Sequence, residues 1–334
     1  MMIDLIALFE EIATPNELDG EATRFNAISI AEYPQFRLAK DGQSMPVLLI
    51  QTQSEKTKGR VPSVKLDYFT VLYDIFCRVI KPDGIAEEGI FTVIRCTGRD
   101  KLLHTYFLRM ISVLFDILPT NPSKIEVANA INNLIDLFRT TNAAPRKSVQ
   151  GLWAELFVID VSRQPELLMT AWHRTPGDRY DFNLGTERLE VKSTSQRVRQ
   201  HHFTLEQLSP PIGTTVLIGS VFTEQVNNGT TIMNLVDAIK LRIHDYPELL
   251  LHLDRTVVAT LGDNWRSAFE DHFDKHLALS TFAFYDALSI PCIPREIPIE
   301  VTEVHFRADL SRCIPIDLDK TKTVASLFGA VRRK

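Results

Sequence analysis

The chain contains no Cys-x-x-Cys pair. Its four cysteines, Cys77, Cys96, Cys292 and Cys313, stand far apart, which argues against a cysteine zinc site. Free thiols in a reducing cytoplasm are the expected state. No run of about 18 apolar residues occurs, so no membrane span is expected. The opening MMIDLIALFEEIATP lacks a basic n-region and a long apolar h-region and carries Asp4, Glu10 and Glu11. It therefore reads as an amphipathic helix and not as a signal peptide, and a cytoplasmic location is expected. An excess of positive charge is also missing. Lys and Arg number 37 against 42 Asp and Glu, for a net charge of −5. Binding to nucleic acid would need a local basic patch. Neither a Walker A motif, a GxGxxG fingerprint nor a GxSxG elbow is present, so ATP, dinucleotide and serine-hydrolase chemistry have no support.

What is there suits an ordinary globular protein, with 45% hydrophobic and 24% charged residues. A length of 334 residues predicts two domains, because single cores stop growing near ~250–300 residues. The polar, proline-containing stretch Thr140–Lys147 marks the expected boundary. The expected domains are 1–140 and 148–334. In the first, strands are expected at Phe36–Leu38 and Pro46–Gln51 around a turn at Lys40-Asp41-Gly42, and at Gly89–Cys96. The stretch Gln53–Lys65, with Lys56, Lys58 and Arg60, reads as an exposed loop. Helices are expected over His104–Leu118 and Ser123–Phe138. In the second, the expected order is a helix at Val149–Arg163, a hairpin at Arg179–Thr194 and a strand near His202. A helix after Thr204, a strand at Thr214–Thr223, a turn at Asn227-Asn228-Gly229 and a helix at Ile232–His244 follow. The tail adds a helix near Trp265–His276, strands near Ala278–Phe284 and Ile299–Phe306, and the basic end Arg332-Arg333-Lys334. The fold class is α/β (α+β): an N-terminal mixed α/β domain, then a central mixed sheet flanked by helices.

The chemistry concentrates in Asp178 to Thr194. Gly185 at the first central position suits a two-residue type II′ loop. The loop pairs Leu184 with Glu187, Asn183 with Arg188 and Phe182 with Leu189, which sets Asp181 opposite Glu190. Side chains alternate along strands, so Tyr180, Phe182, Leu189 and Val191 are expected on a core face, and Asp181, Glu190 and Lys192 on the other. Two carboxylates and an ammonium suit phosphodiester hydrolysis with a hard cation. Carboxylates hold Mg²⁺ while it keeps waters and takes a phosphate oxygen. The Val191 carbonyl is a further candidate ligand, and Lys192 is placed to serve the attacking water. Asp178 competes with Asp181 for the metal role.

Glu155 interrupts the apolar stripe Leu152, Leu156, Ile159. A carboxylate there is costly unless compensated, by a site or by an arginine such as Arg146 or Arg174. Arg197, Arg199 and His202 make the next segment locally basic and suited to meet phosphates. Thr204-x-x-Gln207 is a capping box, which does not bar Gln207 from a site. His272 and His276 have zinc-ligand spacing on a helix, but their polar surroundings read better as a solvated face. Read without a site, Asp181, Glu190 and Lys192 are exposed charges on a hairpin.

These residues resemble the PD-(D/E)xK nuclease superfamily, with Asp181 as its aspartate and Glu190-Val191-Lys192 as its ExK element. Tyr180 stands where the motif name has proline, which weakens the match. Resolvase-like members place a glutamate where Glu155 stands, and members often carry a site-lining polar residue where Gln207 stands. The element order resembles a bacterial family assigned to that superfamily and found beside restriction and phage-defence genes, most clearly over Gly151–Leu208. The resemblance implies a DNA endonuclease using Mg²⁺, with Mn²⁺ as the alternative, in a defence setting with other defence proteins. A homodimer is left open. The N-terminal domain is then expected to serve recognition or partner docking. The rival expectation is a non-catalytic subunit that keeps the fold and binds DNA or partner proteins.

Overall fold

The computed structural model describes residues 4–15, 24–53, 61–65, 69–139, 148–173, 177–293, 298, 301, 303–318 and 326–332. The chain divides into two units, Met1–Thr140 and Thr141–Lys334. The expected linker Thr140–Lys147, residues Lys56, Lys58 and Arg60, Arg146, Arg174 and the terminal Arg333-Lys334 lie outside the described residues.

The first unit opens with α1 (Leu5–Glu11), capped by the Asp4 carboxylate, which accepts the Ile6 and Ala7 N–H groups at 3.0 Å. Strands β1 (Arg24–Ile30), β2 (Tyr33–Lys40), β3 (Pro46–Gln51), β4 (Val64–Lys65), β5 (Phe69–Ile80) and β6 (Ala86–Cys96) follow, then α2 (Lys101–Ile117) and α3 (Lys124–Arg139). The strands lie in the order β1-β2-β3-β6-β5-β4. A parallel pairing of β1 with β5, Arg24 to Arg78 through Asn26 to Ile80, returns the sheet on itself. Five strands thus form a closed barrel, with β4 as a short addition. Phe25, Ala27, Ala39, Val47, Leu49, Cys77, Val79, Phe91 and Val93 form one buried cluster, each apolar position one pleat from the next. On another side of the sheet, Phe115 of α2 stacks on Phe36 with ring centroids 4.5 Å apart.

The second unit begins with α4 (Val149–Val161) and α5 (Pro165–Ala171), followed by β7 (Phe182–Leu184), β8 (Glu187–Thr194) and β9 (Gln200–Thr204). Next come β10 (Thr215–Phe222), β11 (Gln225–Thr230), α6 (Ile232–Arg242), α7 (Pro247–Leu261), α8 (Ser267–Glu270) and α9 (Lys275–Thr281). β12 (Ala283–Asp286), β13 (His305–Asp309) and α10 (Leu327–Ala330) close it. The main sheet runs β12-β10-β8-β7 and is mixed, with β8 and β10 parallel and the other neighbours antiparallel. Leu217 and Val221 of β10 join Leu189 and Val191 of β8 in a core shared with the helices. Val216 and Ile218 join Phe203, Ala308 and Tyr285 on the opposite face, beneath the β9–β13 ribbon. Helix α4 is buried along its whole middle, from Leu152 through Ile159. Helices apolar on all sides belong inside a fold, and Glu155 is carried in with the rest.

Several local expectations are corrected. Asn227-Asn228-Gly229 does not turn; it lies inside β11. A Cβ at Gly229 would stand 2.5 Å from the Phe273 carbonyl oxygen, so this glycine serves a close backbone approach. The helix expected near Trp265–His276 is only the short α8, and α9 occupies Lys275–Thr281, so the strand expected from Ala278 starts at Ala283. Thr204 leads into a single 3₁₀ turn, Leu205–Gln207. The cysteines are unpaired thiols, and no described helix is long and apolar enough to cross a membrane.

Candidate metal centre

The β7–β8 hairpin has the expected register: Leu184 faces Glu187, Asn183 faces Arg188 and Phe182 faces Leu189. Gly185 has φ 52 and Thr186 is not among the positive-φ residues, as a type II′ loop requires. The ladder ends at Phe182, so Asp181 stands one residue outside it. Its carboxylate takes over the pairing: Oδ2 accepts the Val191 N–H at 2.7 Å, while its main-chain carbonyl accepts from the His173 N–H at 3.0 Å. The expected face pattern fails at this point. Phe182 packs with Leu189 and Val191, but Tyr180 packs with Phe203 on the opposite face. There its hydroxyl donates to the Glu206 carbonyl at 3.0 Å, and burial raises its pKa.

Three carboxylates converge from separate elements: Glu155 from α4, Asp181 from the approach to β7 and Glu190 from β8. They are 2%, 3% and 6% exposed respectively. All three line one cleft of about 410 Å³ together with Val191, Lys192, Gln150, Ser193, His201, His202 and Arg307. Buried carboxylates persist only with donors around them, and each has them. Glu155 Oε2 accepts from the Trp172 indole at 2.9 Å and the His173 imidazole at 2.7 Å. Glu190 Oε1 accepts from the Gln207 amide at 2.7 Å and pairs with the Lys192 ammonium at 2.7 Å. Lys192 also lies 5.4 Å from the centre of the Phe203 ring.

Gln207 serves twice. Its side-chain oxygen accepts the Thr204 N–H at 3.2 Å, completing the capping box, and its nitrogen holds Glu190. In an extended strand the N–H and C=O of one residue face the same neighbour. The Val191 carbonyl therefore points to the edge where Asp181 sits.

Other candidates fall differently. Arg199 donates to the Ser220 carbonyl and hydroxyl at 3.0 and 2.8 Å and to the Thr281 carbonyl. It lies between Phe222 and Tyr285, and burial lowers its pKa. Its guanidinium braces the domain interior, so the phosphate contact expected of it is not supported. Arg197 is 73% exposed and pairs with Glu224 at 2.7 Å; it does not line the cleft. His202 is exposed at the cleft, cross-strand from Arg307. His201 is buried, bonded to Ser220 Oγ at 2.8 Å, and its pKa falls to about 3. Burial is the main cause, aided by Lys192, Arg199 and Arg307.

The residues fit a divalent cation. Glu155, His173 and Asp181 each offer a ligand atom, all within 4.8 Å of one another, and among the described residues they are the only such group. Glu190 is not in that group; Lys192 and Gln207 engage its carboxylate. Sequence reasoning missed His173, 18 positions from Glu155, as well as Trp172 and Arg307. His173 carried no motif spacing, and only its position beside Glu155 in space distinguishes it.

No curated protein and no solved structure matches the chain at a significant level. A family model described as "Putative PD-(D/E)XK family member, (DUF4420)" matches residues 5–311. By that match over most of its length, and in accord with its mixed α/β architecture, the chain belongs to this nuclease-like PD-(D/E)XK family.

Proposed function

We propose that the chain is a metal-dependent DNA endonuclease. The observation that carries this reading is the convergence of Glu155, Asp181, Glu190 and Lys192, from three separate elements, on one cleft. Glu155 and Asp181 would hold the cation, with the Val191 carbonyl beside Asp181 as a further ligand. A divalent cation held there supplies phosphodiester polarisation and a more acidic bound water. The chain's own groups do the rest. Lys192, fixed by Glu190 at 2.7 Å, orients the attacking water and offsets charge gathering on the phosphate. Gln207 keeps Glu190 aimed at that ammonium. His202 and Arg307, opposed across the β9–β13 ribbon, offer donors to phosphates beside the scissile one.

In this reading the N-terminal barrel is a recognition or docking module, and the setting is a bacterial defence system in the cytoplasm, with Mg²⁺ or Mn²⁺ as the cation. The test is nicking of supercoiled plasmid by the pure chain with Mg²⁺ or Mn²⁺, against EDTA and against Asp181→Asn. Metal-dependent nicking that Asp181→Asn abolishes is expected. A chain that binds DNA yet cuts nothing with either metal would be the non-catalytic subunit instead.

A further inference from the structure

His173 has no role in the scheme above, yet its imidazole sits in the only three-group metal-ligand cluster among the described residues. We infer that His173 is a direct ligand of the cation, and that the resulting two-carboxylate, one-imidazole set makes the site select Mn²⁺ over Mg²⁺. The inference rests on the metal-site reading of Glu155 and Asp181.

Geometry supports it first. Ligands bound at about 2.1 Å lie about 3.0 Å apart when adjacent and about 4.2 Å apart when opposed. The observed limit of 4.8 Å among Glu155, His173 and Asp181 needs only a sub-ångström closure. The residue is held beside the site through its main chain and through its neighbour. The His173 N–H bonds the Asp181 carbonyl at 3.0 Å, and Trp172, bridged to Phe182, donates to the same Glu155 oxygen that His173 Nε2 approaches. His173 is also one of four described non-glycine residues with positive φ, at 40°. That conformation disfavours a side chain with a Cβ and persists where surroundings impose it. The side chain is 22% exposed, so it borders solvent without being free to leave.

Chemistry then fixes the consequence. Mg²⁺ is matched to oxygen donors and waters, whereas imidazole suits the transition metals, and Mn²⁺ accepts both donor types. An all-oxygen site would leave the two ions separated by their ordinary affinity difference alone; a nitrogen ligand widens the gap.

The experiment uses the full chain. Mn²⁺ and Mg²⁺ are titrated separately by calorimetry into wild type, His173→Ala and His173→Gln, and the Mn²⁺-loaded proteins are measured by pulsed electron paramagnetic resonance for the ¹⁴N coupling of a bound imidazole. Wild type should bind Mn²⁺ more tightly than Mg²⁺ and show the ¹⁴N coupling. Both variants should lose the coupling and at least tenfold in Mn²⁺ affinity, with Mg²⁺ affinity held within about threefold. Glutamine retains a donor for Glu155, so wild-type Mn²⁺ binding by His173→Gln would reduce His173 to a hydrogen-bond partner and overturn the inference. An equal loss for both ions, or a wild type without ¹⁴N coupling, would overturn it as well. Plasmid nicking on the same samples separates the two readings. Coupling without cleavage keeps His173 as a ligand and removes the endonuclease. Cleavage without coupling does the reverse. A wild type that binds neither ion removes both.

Discussion

Each unit buries carboxylate, and the two satisfy it in different ways. In the first, Asp41 is 6% exposed, and one of its oxygens accepts the N–H groups of Gln43 and Met45, both at 2.9 Å. Its hydrogen-bond donors lie within four residues and tie one turn together, and Arg95 of β6 adds a long-range ion pair at 3.4 Å. In the second unit, the donors to Glu155, Asp181 and Glu190 come from 10 to 18 positions away, apart from neighbouring Lys192. These carboxylates are oriented by several elements at once and open on a shared cleft. The Asp41 charge closes a turn, whereas the three carboxylates of the second unit are held by several elements and share one cleft. The cost of burying them is hard to account for by stability alone.

That contrast can be broken by substitution. The largest effect is expected from Lys192→Met, which keeps the apolar stem over Phe203 but removes the ammonium. Cleavage should fall by about 10²–10⁴-fold, the range for a positioned proton-handling group, while the fold measured by circular dichroism stays intact. Wild-type cleavage by this variant would detach Lys192 from the chemistry. Asp41→Ala should do the opposite. It strands two turn N–H groups and should lower stability by about 1–3 kcal/mol in urea melts, with cleavage per folded molecule unchanged. A loss of cleavage without a loss of stability would erase the distinction between the two kinds of carboxylate.

A third expectation concerns acid. His201 has a folded pKa near 3 against 6.5 for a free histidine. Well above pH 6.5 it is neutral in both states, and its contribution to stability is complete. As the pH falls below 6.5 the unfolded chain takes up the proton first, so stability declines until the folded form also protonates near pH 3. Between pH 7 and 5 the decline from this group is about 2 kcal/mol. His201→Gln should flatten the wild-type stability difference between pH 7 and pH 5 by that amount. An unchanged pH slope would mean that His201 does not stay neutral inside the fold. The smallest effect belongs to Arg197→Ala. Its exposed pair with Glu224 should contribute below about 1 kcal/mol to stability. A fall in the salt slope of DNA binding by about one would return Arg197 to the phosphate contacts.

The sequence was most legible where one residue dictates local geometry. Gly185 fixed the hairpin loop, and three cross-strand pairs followed from it. Thr204 and Gln207 declared a capping box, although nothing in the spacing said that the same amide would hold Glu190. Legibility ended where long-range contacts decide. Alternation puts Tyr180 on the wrong face because Asp181 replaces a main-chain partner with its carboxylate. Strands β1 and β5 are not legible in the sequence. β5 carries Asp74 at φ 56 and a register shift between Leu72 and Ile75, which blurs its period. Helices α5 and α7 begin on Pro165 and Pro247, and a proline at a first helical position also reads as a breaker. His173 could not be found from spacing, because its relation to Glu155 exists only after α4, α5 and β7 have packed.

The parallel seam between β1 and β5 has a consequence for how the first unit is made. Hairpins β2–β3 and β5–β6 join neighbours and form quickly, but the seam joins Asn26 to Ile80. On a ribosome the ring cannot shut until β6, which joins β3 to β5, has left the exit tunnel as well. Closing so long a loop carries an entropic cost that local pairs do not, and topologies rich in such contacts fold slowly. Substitutions on the seam, such as Phe25→Ala, should therefore act chiefly on one side of the kinetics. If closure is the last barrier, they should accelerate opening of the ring more than they delay collapse of the hairpins. A nascent chain halted before β6 would then present β1, β2 and β3 as an open sheet with unpaired rims, the form in which this unit is most exposed to wrong partners.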